Sequence, residues 1–338
     1  MKAIVLDGPA TLRQIDVPTP EPGAYEVRVR VACAGVCGSD VEVFLNRRES
    51  RPLFGYEAIG HEISGVIDAI GSDVTGLEVG DRVTCAGTWG GFADYVITSP
   101  VNVLRFSARI PFEDACILEV LPGVAMAAWQ TGITRASNVL IVGQGLSGLL
   151  LTRYVHLHGC SALAVVDPDE QKLAVARYFG ATDTFRGTIA TVQEAVQSRF
   201  ESGFDVAIVA VPASDVIDTI VPLMRTRARI VVYGGLSPNA SIDLLAMHHR
   251  SVSLMKEGEC INGIVDARKI WREALRLVED GLVPLSRLRT HTLPMADAQR
   301  AVMLRAEPTG LTLHVVLRND WVASEETFAA MTAAEEVS

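Results

Sequence analysis

The chain has 338 residues, more than one ordinary core accommodates, so two domains are expected. With 49% hydrophobic and 21% charged residues it is globular in composition, and no run reaches the roughly 18 uncharged apolar residues of a spanning helix, which excludes a membrane segment. A formal net charge of -10 argues against nucleic acid as a partner, because that binding needs a basic face to neutralise phosphates.

Met1 to Asp7 lack the apolar region and small-residue cleavage site of a secretory signal and run straight into a strand-like pattern, so a cytoplasmic location is expected. From 1 to about 105 the pattern is β-rich. Glu26 to Val31 alternates strictly and His61 to Ile70 more loosely, which predicts half-buried strands between Gly and Pro turns in a small closed sheet. Ile117 to Gln130 loses that period and reads as a helix. From about 138 the rhythm becomes apolar strand, helix, apolar strand. Strands are predicted at 138–142, 162–166, 204–211 and 229–233, with helices at 147–158, 169–178 and 215–225. This alternation implies a parallel sheet with helices on both faces. Arg268 to Glu279 reads as an amphipathic helix and Leu311 to Leu317 as a last strand returning to the first lobe. The acidic, Ala-rich end from Glu325 to Ser338 carries no functional reading.

Strand Val139 to Val142 leads directly into Gly143-Gln144-Gly145-Leu146-Ser147-Gly148 and then an apolar helix, the context that the dinucleotide fingerprint requires. Gly143 makes the tight turn, Gly145 lets a pyrophosphate approach the backbone, and Gly148 lets helix and strand pack closely, with the helix N-terminus aimed at the phosphates. Asp167 follows Gly148 by nineteen residues, where a carboxylate accepts the hydroxyls of the adenosine ribose. Asp169 and Glu170 add negative charge that would repel a 2′-phosphate, so NAD is read over NADP. Leu146, Ser147 and Lys172 complete the candidate cofactor set.

In the first half, Gly60-His61-Glu62-Ile63-Ser64-Gly65 is followed by Gly71 and Val74, and Gly35-Val36-Cys37-Gly38-Ser39-Asp40 stands upstream. With Gly80-Asp81-Arg82-Val83 and the fingerprint, these motifs resemble the zinc-dependent alcohol dehydrogenases of the medium-chain dehydrogenase/reductase family, and the resemblance runs from Met1 to about Arg318. It implies a GroES-like β-rich catalytic domain over 1–130, completed by 263–338, and a Rossmann doubly wound parallel sheet over 131–262. It also implies that Cys37 and His61 hold zinc, with Glu62 as an exchanging or supporting ligand. Glu119, in Ile117-Leu118-Glu119-Val120-Leu121, sits where polyol-type members carry Glu-Pro-Leu, although Val120 replaces the proline; it is the third protein ligand by this looser match. A thiolate, an imidazole and a carboxylate suit Zn²⁺ and leave a fourth position for water or substrate.

Two departures bear on function. Many members carry four closely spaced cysteines after the Gly-Asp-Arg-Val turn, but here Cys85 stands alone, and one thiol cannot build a tetrahedral structural site. One catalytic zinc and no structural zinc are therefore expected. Ser39 matches the hydroxyl that takes the substrate proton, whereas Glu42 occupies the position that often holds a relay His, leaving the long relay open.

The resemblance implies Lewis-acid activation of an alcohol, proton removal by Ser39 and hydride transfer to nicotinamide. Glu119 points to the sorbitol- and threonine-dehydrogenase-like branch and so to a secondary alcohol of a sugar, polyol, cyclitol or amino alcohol. The basic run Arg47, Arg48 and Arg51 either meets an anionic substrate group or is a solvated surface. His248-His249 reads as two loop residues pointing apart, and Trp89, Phe54 and Trp129 as pocket or core aromatics. The family commonly forms homodimers or homotetramers, here through an edge strand near Ser251 to Leu254. The alternatives are a metal-free quinone or enone reductase of the same superfamily, and a non-catalytic NAD-binding protein.

Overall fold

The computed structural model describes residues 1–47, 51–53, 56–129, 131–212, 216–235, 241–256 and 267–322. Two compact units emerge: Met1–Val120 with Leu275–Ser338, and Leu121–Ala274.

The first unit is built on strand Val27–Gly35. Its alternating start puts Val27, Val29 and Val31 wholly into the core while Arg28 and Arg30 stay partly exposed; from Val31 onward both faces are buried. This strand pairs antiparallel with Glu62–Ile70 on one side and with His314–Arg318 on the other. The full order is Arg289–Pro294, His314–Arg318, Val27–Gly35, Glu62–Ile70, Arg82–Cys85 and Val103–Arg105, with Tyr95–Thr98 also pairing with Val27–Gly35. A four-stranded sheet, which includes Lys2–Leu6 and Leu12–Asp16, accompanies it. Residues far apart in the chain, 35, 62 and 314, thus become neighbours at one end of three adjacent strands.

The second unit is a six-stranded, wholly parallel sheet. Its order is Asp183–Arg186, Ala162–Asp167, Asn138–Val142, Phe204–Val209, Met224–Val232 and Ser253–Lys256. In chain order this is 3-2-1-4-5-6, with the reversal beside Asn138–Val142, the strand that carries the glycine turn. Its three central strands, Ala162–Asp167, Asn138–Val142 and Phe204–Val209, are near-continuous apolar runs, as strands buried on both faces are. The expected α/β architecture, with a Rossmann-type sheet in one unit and a GroES-like β-rich fold in the other, is present.

The structure corrects several elements. The helix expected at 215–225 is a short helix Ile217–Ile220 and a 3-10 turn Val221–Leu223, after which Met224 opens a strand. Pro222 lacks the amide that a longer helix would need. The segment 117–130 divides into a 3-10 turn Cys116–Glu119 and helix Leu121–Trp129. Strand Asp183–Arg186, an only partly buried edge without an apolar run, and helix Ile189–Arg199, whose Ile189, Val192 and Val196 recur at helical spacing, lie outside the expected elements. His248 and His249 lie on helix Leu244–Arg250 rather than in a loop, both exposed, with ring centroids 5.8 Å apart. Among the described residues no helix is long and apolar enough to cross a membrane. Phe54, Arg48 and the segment from Glu325 onward lie outside the described residues, and the side chain of Arg51 is likewise not described.

Candidate functional site

The residues Gly35 to Asp40 leave the central strand of the first unit and begin a short helix, Gly38–Phe44, with Cys37 as its N-cap. Opposite, Gly60 at φ +85° turns the chain into strand Glu62–Ile70, which brings His61 and Glu62 to the same place. Cys37, His61 and Glu62 each offer a donor atom, and these atoms all lie within 4.8 Å of one another. Among the described residues it is the one such group of three. A thiol, an imidazole and a carboxylate at this separation are the donor set that zinc takes, so the residues present fit the metal.

The ring of His61 is oriented from both sides. Nδ1 lies 3.4 Å from Asp40 Oδ1, at ion-pair distance but without hydrogen-bond alignment, and Nε2 lies 3.4 Å from Ser39 Oγ. Trp89 covers the ring, with centroids 4.6 Å apart. Nδ1 therefore faces a carboxylate at ion-pair distance, the side from which a carboxylate can steady a metal-ligating imidazole. Glu62 is buried and accepts a 2.6 Å hydrogen bond from His314 Nε2.

Charge follows from this packing. Burial pushes the Cys37 thiol up, and the Glu62 carboxylate adds to the shift while His61 opposes it. Burial disfavours a charged His61, but Asp40 and Cys37 outweigh it and raise the ring well above its usual value. For Glu62, burial is outweighed by His314, which holds the carboxyl below its ordinary range. Glu119 is half-buried and outside the group of three; burial pushes its carboxyl up to about 7, with His61 working against the shift. Metal binding here must expel the thiol proton, so it is proton-linked.

Glu42 sits on helix Gly38–Phe44, partly exposed, with Oε1 3.5 Å from Arg47. Cys85 is wholly buried in strand Arg82–Cys85, paired in register with Ile63. Trp129 is an exposed residue of the second unit, so it and Trp89 belong to different units.

In the second unit, Gly143 follows its strand at φ +94°, and a side chain there would strike Val211. A side chain at Gly148 would strike the Gly143 carbonyl, whereas one at Gly145 would meet nothing within 4 Å. Gly148 is thus spent on internal packing, and Gly145 faces open space at the start of helix Leu146–His158, which has no side-chain cap. Asp167 ends the neighbouring strand; its Oδ2 accepts from Gln144 N at 2.7 Å and its Oδ1 from Asp169 N at 2.9 Å. Gln144 is held in turn by Thr152, whose Oγ1 donates to Gln144 Oε1 at 2.9 Å. Leu146 is buried under this turn, Ser147 partly so, and Lys172 lies half-buried on helix Glu170–Phe179.

Two family models match these two halves: an alcohol dehydrogenase GroES-like domain over residues 23–108 and a zinc-binding dehydrogenase over 148–280. The chain belongs to the alcohol dehydrogenase family of medium-chain dehydrogenases/reductases. Within it, the similar proteins place this dehydrogenase in the sorbitol- and threonine-dehydrogenase-like branch. L-idonate 5-dehydrogenase of Vitis vinifera is 26% identical over 322 residues, 83% of this chain and 85% of that protein. Galactitol 1-phosphate 5-dehydrogenase of Escherichia coli K12 is 31% identical over 217 residues, 56% of this chain and 62% of that protein. An Escherichia coli CFT073 protein described as a short chain alcohol dehydrogenase, solved with NADH, shares the fold. Its TM-score is 0.84 and its identity 23%, over 94% of this chain and 99% of that one.

Two residues that the sequence pattern does not single out complete the first-half site of this alcohol dehydrogenase. Asp40 carried a local signal, since it stands three residues after the helix-capping Cys37, where a carboxylate reaches back to the cap amide. His314 carried none, being 252 residues from its partner.

Proposed function

We propose that this chain is a zinc-dependent, NAD-linked enzyme of the cytoplasm that oxidises a secondary alcohol of a small polyhydroxylated or amino-alcohol substrate to a ketone. The observation that carries the reading is the convergence of Cys37, His61 and Glu62, with the Ser39 hydroxyl 3.4 Å from His61 Nε2. One zinc per chain is held by Cys37 and His61, with a carboxylate from Glu62 or Glu119. When bound, zinc supplies Lewis acidity that lowers the pKa of the alcohol, and nicotinamide takes the hydride.

The chain's own residues do the rest. Ser39 Oγ relays the hydroxyl proton, accepting it while its own proton passes to solvent. Asp40 faces His61 Nδ1, and Trp89, tilted at 33° over that ring, excludes water from one side of it. In the second unit, Gly145 leaves the backbone open to the pyrophosphate and the uncapped helix start receives its charge. The Asp167 carboxylate, flanked by Asp169 and Glu170, favours ribose hydroxyls over a 2′-phosphate, so NAD is the cofactor.

The relatives support the substrate class. L-idonate 5-dehydrogenase and galactitol 1-phosphate 5-dehydrogenase are both named for an internal carbon of a polyhydroxylated chain, hence for a secondary alcohol. A homodimer or homotetramer joined through Ser253–Lys256, the terminal strand of its sheet among the described residues, belongs to the same reading and is checked by light scattering.

The deciding test is elemental analysis of wild type beside Cys37→Ser, followed by screening of polyols and cyclitols with NAD and NADP. One zinc per chain, lost in the variant, with NAD-dependent alcohol oxidation, is the expected result. Absence of zinc from metal-replete protein would overturn it.

A further inference from the structure

His314 opens strand His314–Arg318 and Glu62 opens strand Glu62–Ile70, and the two strands flank Val27–Gly35 on opposite sides. Their side chains meet across the central strand at Gly35, 2.6 Å apart and almost wholly buried. They can do so because residue 35 is glycine. A Cβ there would strike both Glu62 Oε2 and His314 Nε2, although Gly35 has no positive φ to demand glycine for its own backbone. The other ring nitrogen, His314 Nδ1, is buried without a hydrogen-bond partner. A core histidine present for packing would be costly in this form, so the ring's polar chemistry is directed at Glu62.

Glu62 is at the same time one of the three groups whose donor atoms lie within 4.8 Å of one another. We propose that His314 is a positioning residue that withholds Glu62 from full metal ligation by engaging one of its oxygens, so that a coordination position stays available to the alcohol. The inference rests on the zinc-enzyme reading and deepens it. A carboxylate oxygen committed to a short, buried, charge-assisted hydrogen bond is a weaker and less mobile donor. With His314 gone, the buried carboxylate has lost its partner, and the bound metal is the cation left within its reach.

The test compares wild type, His314→Leu, His314→Gln, Gly35→Ala and the double variant His314→Leu/Glu62→Gln. Zinc release to a chromogenic chelator and the visible absorption of the Co²⁺-substituted protein are read alongside kcat and KM. His314→Leu and Gly35→Ala are expected to release zinc about tenfold more slowly, the factor that about 1.4 kcal/mol of added ligation gives, with an altered Co²⁺ spectrum and a raised KM for the alcohol at a smaller change in kcat. His314→Gln keeps a side-chain N–H for Glu62 and is expected to behave as wild type, and Glu62→Gln in the double variant is expected to restore fast release. If wild type retains zinc but His314→Leu releases it at the wild-type rate or faster, with an unchanged Co²⁺ spectrum, the role of His314 is overturned and the zinc reading stands. If wild type holds no zinc, both fall.

Discussion

Asp40 Oδ1 stands 3.4 Å from His61 Nδ1 while the same carboxylate accepts the backbone amides of Cys37 and Gly60, each at 2.9 Å. One buried side chain therefore fixes the two loops that carry the candidate ligands and orients one of the ligands itself. Asp40→Ala is expected to weaken zinc binding 10- to 100-fold, on the order seen when a carboxylate behind a ligating histidine is lost. It is also expected to lower Tm, because the buried Gly60 amide loses its acceptor at about 1–3 kcal/mol and the part-buried Cys37 amide loses its own. Chelator competition and a thermal scan of the metal-free protein separate the two effects. Wild-type zinc affinity in this variant would remove Asp40 from the site.

Gly145 and Gly148 give opposite expectations from the same substitution. A methyl at 145 meets no protein atom within 4 Å, so Gly145→Ala should keep the wild-type Tm but weaken NAD binding by filling the space that the pyrophosphate needs. A methyl at 148 collides with the Gly143 carbonyl and must push helix from strand, so Gly148→Ala should lower Tm and cofactor affinity together. Calorimetric NAD titration beside thermal unfolding decides; a Gly145→Ala protein that binds NAD as wild type does contradicts the assignment.

What the sequence made legible follows physical range. Gly148 packs on the Gly143 carbonyl within one turn and Asp167 reaches Gln144 within one strand-helix-strand unit, so their spacing carried that geometry, whereas the close approach of Val211 to Gly143 left no local pattern. The proximity of Cys37 and His61 was implied by family motifs, and only the pairing of Val27–Gly35 with Glu62–Ile70 brings them together. The His314 contact depends on three strands in register and on a missing Cβ at Gly35, none of which leaves a local pattern. The helix expected at 215–225 failed for a different reason: its apolar spacing suited either state, and Pro222 together with the parallel pairing of Met224–Val232 decided for a turn and a strand.

Cys85 tests the count of metal sites. It is wholly buried, and burial alone pushes its thiol up to about 12, so at pH 8 its thiolate fraction is ~10⁻⁴ and it should resist alkylation in the folded protein. Cys85→Ser is expected to retain one zinc per chain, whereas Cys37→Ser loses it. A second zinc in wild type that disappears with Cys85→Ser would overturn the single-site expectation.

Glu119 supplies a pH signature whose sign differs between the metal-free and zinc-loaded protein. Its carboxyl is raised from 4.5 to about 7, chiefly by burial. Between those values the folded, metal-free protein holds a proton at Glu119 that the unfolded chain has released. The native state binds more protons, so this group's contribution to stability is present below the unfolded value and is lost as pH rises through about 7. Glu119→Gln cannot titrate, so the stability of the variant relative to wild type, from urea midpoints of metal-free protein, should rise from pH 5 to pH 8. Zinc reverses the preference because a ligand carboxylate must be ionised. The zinc affinity of wild type should then climb more steeply through pH 7 than that of Glu119→Gln. Parallel pH curves for the two proteins in the zinc measurement, with diverging curves in the metal-free one, would leave Glu119 as a half-buried acid that does not ligate and assign the third protein ligand to Glu62.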